Sequence, residues 1–155
     1  MDLDSTDRRI LAALQGDGRL TNRDLAQRVA LSPSPCLRRV KRLEAAGVVQ
    51  GYRAVLDRVA VGLGLTVFVE IKVERHSRES AQTLQDALAA MPEVVSCHMV
   101  SGTADFLVEI VVADLRAYEA LLTNHLLTLP MVADIRSNVS LRQIKSDVPL
   151  PLPGK

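Results

Sequence analysis

Leu31-Ser32-Pro33-Ser34-Pro35-Cys36-Leu37-Arg38-Arg39-Val40-Lys41-Arg42-Leu43-Glu44 joins a helix-starting signal to an apolar stripe and a basic face. Serine hydroxyls and prolines suited to a first turn predict a helix from about Pro35 to Ala46, ended by Gly47. Leu37, Val40 and Leu43 form its inward stripe, so Arg38 and Arg42, one turn apart, point nearly the opposite way, flanked by Arg39 and Lys41. Ser34 and Pro35 lie at its N-terminal end, the end that reaches base edges in helix-turn-helix proteins. An arginine fork suits that place: it bonds two acceptors on guanine and keeps its charge against phosphate. An isolated basic cluster is more often a solvated helix face, so the neighbouring elements decide the reading.

Upstream, Ile10, Leu11 and Leu14 share one face of a helix over Asp4–Leu14, with Asp4 and Asp7 in the first turn where the helix dipole favours acids, and Gly16 and Gly18 close it. A second, short helix starts at Thr21, whose hydroxyl can cap it while Asp24 returns the bond, and Leu25, Ala26 and Val29 form its buried stripe. Downstream, Gly47 to Leu56 is apolar and β-prone with glycine breaks, which reads as a winged-helix hairpin carrying Arg53 toward backbone phosphate. Residues 1–56 therefore read as a winged helix-turn-helix DNA-binding domain, with the basic helix third of three.

Composition agrees with such a division of labour. The 155 residues are 48% hydrophobic and 24% charged, the balance of a soluble globular chain. The net charge of +1 hides an asymmetry: residues 1–60 hold 11 Lys/Arg against 7 Asp/Glu, a net +4, and residues 61–155 hold 8 against 11, a net −3. A basic half joined to an acidic half fits a chain of which only the first part meets a polyanion. The acidic opening Met1-Asp2-Leu3-Asp4 and the lack of a long apolar run predict a cytoplasmic protein with no membrane span. Cys36 and Cys97 fall in different predicted domains and read as plain thiols. Cys97 and His98, adjacent on a strand, point to opposite faces, and no metal-ligand spacing is present, so neither metal nor cofactor is expected.

Beyond a hinge at 57–65 containing Gly62 and Gly64, residues 66–145 read as a duplicated strand-helix-strand. Thr66–Glu74 alternates as a strand with Val67, Val69, Ile71 and Val73 on one side. Glu79–Met91 is a helix with Ala81, Leu84, Leu88 and Met91 inward, and Val94–Val100 is a second strand. The order repeats with a strand at Phe106–Ala113, a helix at Leu115–Leu129 packing through Tyr118, Leu122, Leu126 and Leu129, and a strand at Ile135–Ile144. Leu84, Leu88, Met91, Pro92 and Val94 correspond to Leu122, Leu126, Leu129, Pro130 and Val132 at a constant offset of 38. This βαββαβ order predicts an α+β chain whose second domain is ferredoxin-like, a four-stranded antiparallel sheet with both helices on one side. The uncovered sheet face calls for a second copy, and a homodimer would give two DNA-reading heads the two-fold symmetry of palindromic half-sites. Residues 146–155, rich in proline, read as an extended tail.

Between the second and third strands, Ser101-Gly102-Thr103-Ala104-Asp105-Phe106 has two readings. Its backbone N–H groups and Asp105 can clamp the carboxylate and ammonium of a zwitterion; alternatively it is a hairpin turn in which Gly102 supplies unusual dihedrals and Asp105 caps the backbone.

Residues 31–44, then Gly47-Val48-Val49-Gln50-Gly51-Tyr52, together with Leu3-Asp4 through Leu14 and Asp17-Gly18-Arg19, resemble the leucine-responsive/asparagine (Lrp/AsnC, "feast/famine") transcriptional regulators. With that resemblance, the candidate contacts to double-stranded DNA are Thr21, Asn22, Ser32, Ser34, Pro35, Arg38, Arg39, Lys41, Arg42 and Arg53. It implies that the turn Ser101, Gly102, Thr103, Ala104 and Asp105 borders an amino-acid effector pocket between dimers, with Met99, Leu115, Asn138, Val139 and Ser140 at positions near that pocket or its assembly contacts. It further implies dimers assembling into octamers. Thr103 and Ala104 stand where relatives often carry polar or aromatic residues, so the identity of the effector does not transfer. Two other readings remain open: an amino-acid sensor acting through protein contacts, and a small ferredoxin-like enzyme. Against the enzyme, no Ser/His/Asp set, P-loop or dinucleotide fingerprint occurs, and His76 and His125 read as surface residues.

Overall fold

Asp4 starts the first helix as a reciprocal cap: its carboxylate accepts the Asp7 amide at 2.8 Å, and the Asp7 carboxylate accepts the Asp4 amide at 3.2 Å. The computed structural model in which this is seen describes residues 2–74, 78–129, 131–146 and 148–153, with the backbone alone for 78–81. Helix α1 (Ser5–Gly16) is followed by α2 (Asn22–Arg28), capped as expected by Thr21, and α3 (Pro33–Ala45). The last begins two residues before Pro35 because Pro33, whose missing N–H costs nothing there, takes the first helical position after Ser32. Ile10, Leu11, Leu25, Ala26, Val29, Cys36, Val40 and Leu43 close a core between the three helices. The inward stripe of α3 thus differs from the expected one: Cys36 is fully buried, and Leu37 is 42% exposed.

The expected hairpin over Gly47–Leu56 is an extended arm instead. The amides of Val48 and Val49 both turn back to the Leu43 carbonyl, at 3.0 and 3.2 Å, and among the described residues no strand lies between α3 and Leu65. From Gln50 to Leu56 the chain runs exposed.

The chain divides into two compact units, residues 1–55 with 145–155, and residues 56–144. In the second, β1 (Leu65–Val73), α4 (Arg78–Ala90), β2 (Val94–Met99), β3 (Phe106–Val112), α5 (Leu115–Leu121) and β4 (Val132–Val139) build an antiparallel sheet of order β2-β3-β1-β4. Val67, Val69 and Ile71 of β1 and Phe106, Val108 and Ile110 of β3 meet Leu84, Leu88, Tyr118, Leu121 and Leu126 from the helices in one apolar core. Tyr118 caps that packing with a hydroxyl hydrogen bond to Ser137.

Two expectations are corrected here. The last strand runs from Val132 to Val139 rather than from Ile135 to Ile144, and Ile144 is 84% exposed, with nothing to bury it on an extended segment. The last helix is not α-helical throughout: at Leu122–Leu126 it widens to a π-turn, in which the Leu127 amide reaches the Leu122 carbonyl at 2.9 Å. The wide turn lets Leu121 and Leu126, five apart, both face the sheet, while Leu122, the expected counterpart of Leu84, is half-buried. Ala81, Pro130 and His76 lie outside the described side chains; His125 is exposed on the π-turn.

Candidate functional site

The buried stripe of Cys36, Val40 and Leu43 fixes how α3 is turned. At about 100° per residue, the direction away from that stripe belongs to Ser34, Arg38, Lys41 and Ala45. All four are exposed, and neither Arg38 nor Lys41 has an ion pair among the described residues. Arg42, four residues after Arg38, points within about 40° of it, at the edge of the outward face nearest α1. Arg39 lies further round on the flank toward α1, and there the Arg39 guanidinium donates to Asp4 at 2.7 Å and to Asp7 at 2.8 Å, while that of Arg42 donates to Asp7 at 2.6 Å. Asp7 is buried at the centre of this cluster with 1% of its surface exposed. The Asp4 carboxyl is held below its ordinary pKa, first by the Asp7 amide and then by Arg39, and Arg39 is held above its own by Asp4 and Asp7.

The other candidate DNA contacts fall around the N-terminal end of α3. Ser32 is its N-cap residue but makes no side-chain cap bond, so its hydroxyl is available, whereas the Thr21 hydroxyl already donates to Asp24 at 2.6 Å. Asn22 ties α2 to α3 by donating from Nδ2 to the Pro33 carbonyl at 2.9 Å, and its buried Oδ1 has no hydrogen-bond partner among the described residues. Pro35 is half-buried, and Arg53 lies on the exposed arm.

The candidate effector residues divide into two groups. Met99 and Ser101–Asp105 sit at the end of the sheet where β1 finishes: the Asp105 amide donates to the Ile71 carbonyl at 3.0 Å, and its Oδ2 accepts the Val73 amide at 2.9 Å. Gly102 has φ 133°, a conformation that disfavours any side chain. Leu115, Asn138, Val139 and Ser140 sit at the opposite end, where Val139 pairs with Val67 and the Ser140 amide bonds to the Thr66 carbonyl. From Thr66 to Lys72 a strand covers about 20 Å, so one protomer does not bring the two groups together. Met99 is 67% exposed, Leu115 63% and Val139 44%, three apolar side chains left facing water.

Beside the turn, on the sheet face away from the helices, lies a cleft of about 170 Å³ lined by Glu70, Lys72, Thr103, Ala104, Asp134 and Arg136. Glu70 pairs in register with Arg136, and Lys72 with Asp134. Two carboxylates and two cations around one cleft can receive both ends of a zwitterion. Sequence reading passed over these four charged residues, although Glu70 and Lys72 alternate with the buried valines and Arg136 lay inside the expected last strand; Asp134 was hidden by the misplaced start of β4. Among the described residues no group of three or more His, Cys, Asp or Glu could hold a metal, and no helix is long and apolar enough to cross a membrane.

Comparison with known proteins gives this geometry a context. Residues 3–50 match the family described as winged helix-turn-helix DNA-binding, and residues 66–150 match the Lrp/AsnC ligand binding domain. The chain is 44% identical over 144 residues to the leucine-responsive regulatory protein of Escherichia coli, covering 93% of this chain and 88% of that one. Among solved structures it is similar to a transcriptional regulator from Neisseria meningitidis in complex with L-methionine, with a TM-score of 0.93 and 40% identity over 97% of each chain. It is similar also to an AsnC family transcriptional regulator from Agrobacterium tumefaciens, with a TM-score of 0.91 and 38% identity, covering 96% of this chain and 97% of that one.

Proposed function

Since the chain belongs to the Lrp/AsnC family of DNA-binding transcriptional regulators, with a winged helix-turn-helix and a ligand-binding domain, we propose that its effector is an amino acid received at the strand-end turn Ser101–Asp105. The enzyme reading falls with that membership. The observation that carries the proposal is the methionine complex of the Neisseria relative, joined to the paired charges and exposed apolar side chains around this turn. A zwitterion needs a cation and a carboxylate, and an apolar amino-acid side chain needs a dry wall. Because the turn and the Leu115–Ser140 group lie at opposite ends of the sheet, a pocket using both is built between copies. The working unit is a homodimer joined through the sheet face away from the helices, further assembled into an octamer, and it acts in the cytoplasm.

The head meets double-stranded DNA through α3, with Ser34, Arg38 and Lys41 directed at the groove. Ser32, Pro35, Thr21 and Asn22 cluster at the N-terminal end of that helix and Arg53 lies on the arm, while Arg39 and Arg42 stand on its flank, paired with Asp4 and Asp7. Titration calorimetry across the amino acids tests the effector. Saturable binding of leucine, methionine or another apolar amino acid, abolished by opposite-charge substitutions at Lys72 and Asp134, is the expected result; no heat with any amino acid would reject it.

A further inference from the structure

We propose that Asp7 is a positioning residue for DNA recognition: it withdraws Arg39 and Arg42 from the phosphate backbone and leaves Ser34, Arg38 and Lys41 as the face of α3 that enters the groove. This rests on the reading of α3 as the DNA-binding helix. Asp7 lies in the first turn of α1, a surface position in most helices, yet it is 1% exposed. Each of its carboxylate oxygens serves one guanidinium: Oδ1 takes Arg39 at 2.8 Å and Oδ2 takes Arg42 at 2.6 Å, with the Asp4 amide also on Oδ2. Asp4 adds a second carboxylate on Arg39 at 2.7 Å.

Two carboxylates against two guanidiniums make a neutral cluster. A cation whose charge is already matched inside the protein attracts few phosphates and releases few counterions when the helix meets DNA. Moving either arginine onto phosphate would leave the buried Asp7 carboxylate short of a partner, which opposes the exchange. Of the four basic residues on α3, the charge that DNA can use is therefore that of Arg38 and Lys41.

The same cluster sets the rotation of the helix. Arg39 and Arg42 are three residues apart, on one flank, and both are held by a single carboxylate on α1, so α3 cannot turn about its axis without breaking one of them. A turn of one residue, about 100°, would swing Arg38 off the outward face. Asp7 thus acts through the arginines and not by touching DNA.

The test uses the full chain, poly(dI-dC) as a non-specific probe, and a duplex selected from a randomised pool by the wild-type protein. The slope of log affinity against log salt is read for each bound protomer. Arg38→Ala and Lys41→Ala should each flatten the slope by about one. Arg42→Gln should leave it unchanged. Asp7→Asn, which removes one of the two negative charges and frees Arg42 while Asp4 still holds Arg39, should steepen it by about one and lower the preference for the selected duplex by about tenfold. An unchanged slope in Asp7→Asn overturns the role. Should circular dichroism find that variant unfolded, Arg42→Gln decides alone, since flattening as large as that of Arg38→Ala overturns it equally. Failure of the wild-type chain to bind either duplex is a separate outcome that removes the DNA-binding reading itself.

Discussion

Asp105 illustrates how a single side chain can serve two demands. One of its oxygens accepts the Val73 amide and so closes the end of β1, which is the structural half of the expectation for this turn. The proposed effector role needs its negative charge as well. Asparagine keeps an acceptor oxygen in the same place and discards the charge, so Asp105→Asn should stay within about 0.5 kcal/mol of wild-type stability. Asp105→Ala leaves a half-buried amide unpaired and should cost about 1–2 kcal/mol. Denaturant titration of both variants, set beside calorimetry with the effector, separates the two roles. Equal loss of effector affinity in both, with stability lost only in alanine, assigns the charge to binding; full affinity in asparagine confines Asp105 to the turn.

At the level of elements, the C-terminal segment behaves unlike a free tail. Gln15 reads the backbone of Leu150 on both sides, accepting its amide at 2.6 Å and donating to its carbonyl at 3.3 Å, and Leu152 packs against the core of the first unit. Pro149, Pro151 and Pro153 already hold the chain extended, so little further entropy is lost on docking. Removing residues 146–155 should destabilise the helix-turn-helix unit by about 2 kcal/mol, roughly half from Leu152 burial and half from the hydrogen bonds. Urea unfolding of the truncated chain measures it, and an unchanged midpoint would show the contact to be idle. Sequence periodicity found the helices and the order of strands because apolar residues recur at helical and strand spacings through Leu25, Val40, Val67 and Leu88. It misjudged α3 because cysteine and leucine are adjacent and both apolar, so Cys36 and Leu37 compete for one stripe. The π-turn escaped for a related reason: Leu121 and Leu122 offer two registers, and the sheet picks between them only once the helix is packed. Asp7 looked like an ordinary first-turn acid, since its partners lie more than thirty residues away. The turn at Ser101–Asp105 was legible as a site, but the separation of its companions by the length of β1 is a property of strand register that periodicity does not carry.

For the whole molecule, the decisive surface is the sheet face turned away from the helices. Phe68 on β1 is 39% exposed there, with half-buried Leu107 of β3 sharing the face by register, while Val111 on the same face is already buried. Around them run polar groups already matched within one chain, Arg58 with Glu109 at 2.8 Å, Arg136 with Asp134 at 3.4 Å, and Glu70 accepting from Asn138 at 3.3 Å. An apolar centre with a satisfied polar surround is the anatomy of a protein interface. In a two-fold dimer each substitution occurs twice, close to its own copy when it lies near the axis. Phe68→Glu should therefore set two carboxylates against each other across the proposed dimer contact and give a smaller species than the wild-type chain in sedimentation velocity. The fold should survive, because Phe68 is no part of the core that joins sheet and helices. Specific DNA affinity should then fall by a hundredfold or more as the two heads bind independently, since the linked second contact acts at an effective concentration near millimolar. A Phe68→Glu chain that sediments as wild type would move the dimer contact to another surface, and the pairing of half-sites with it.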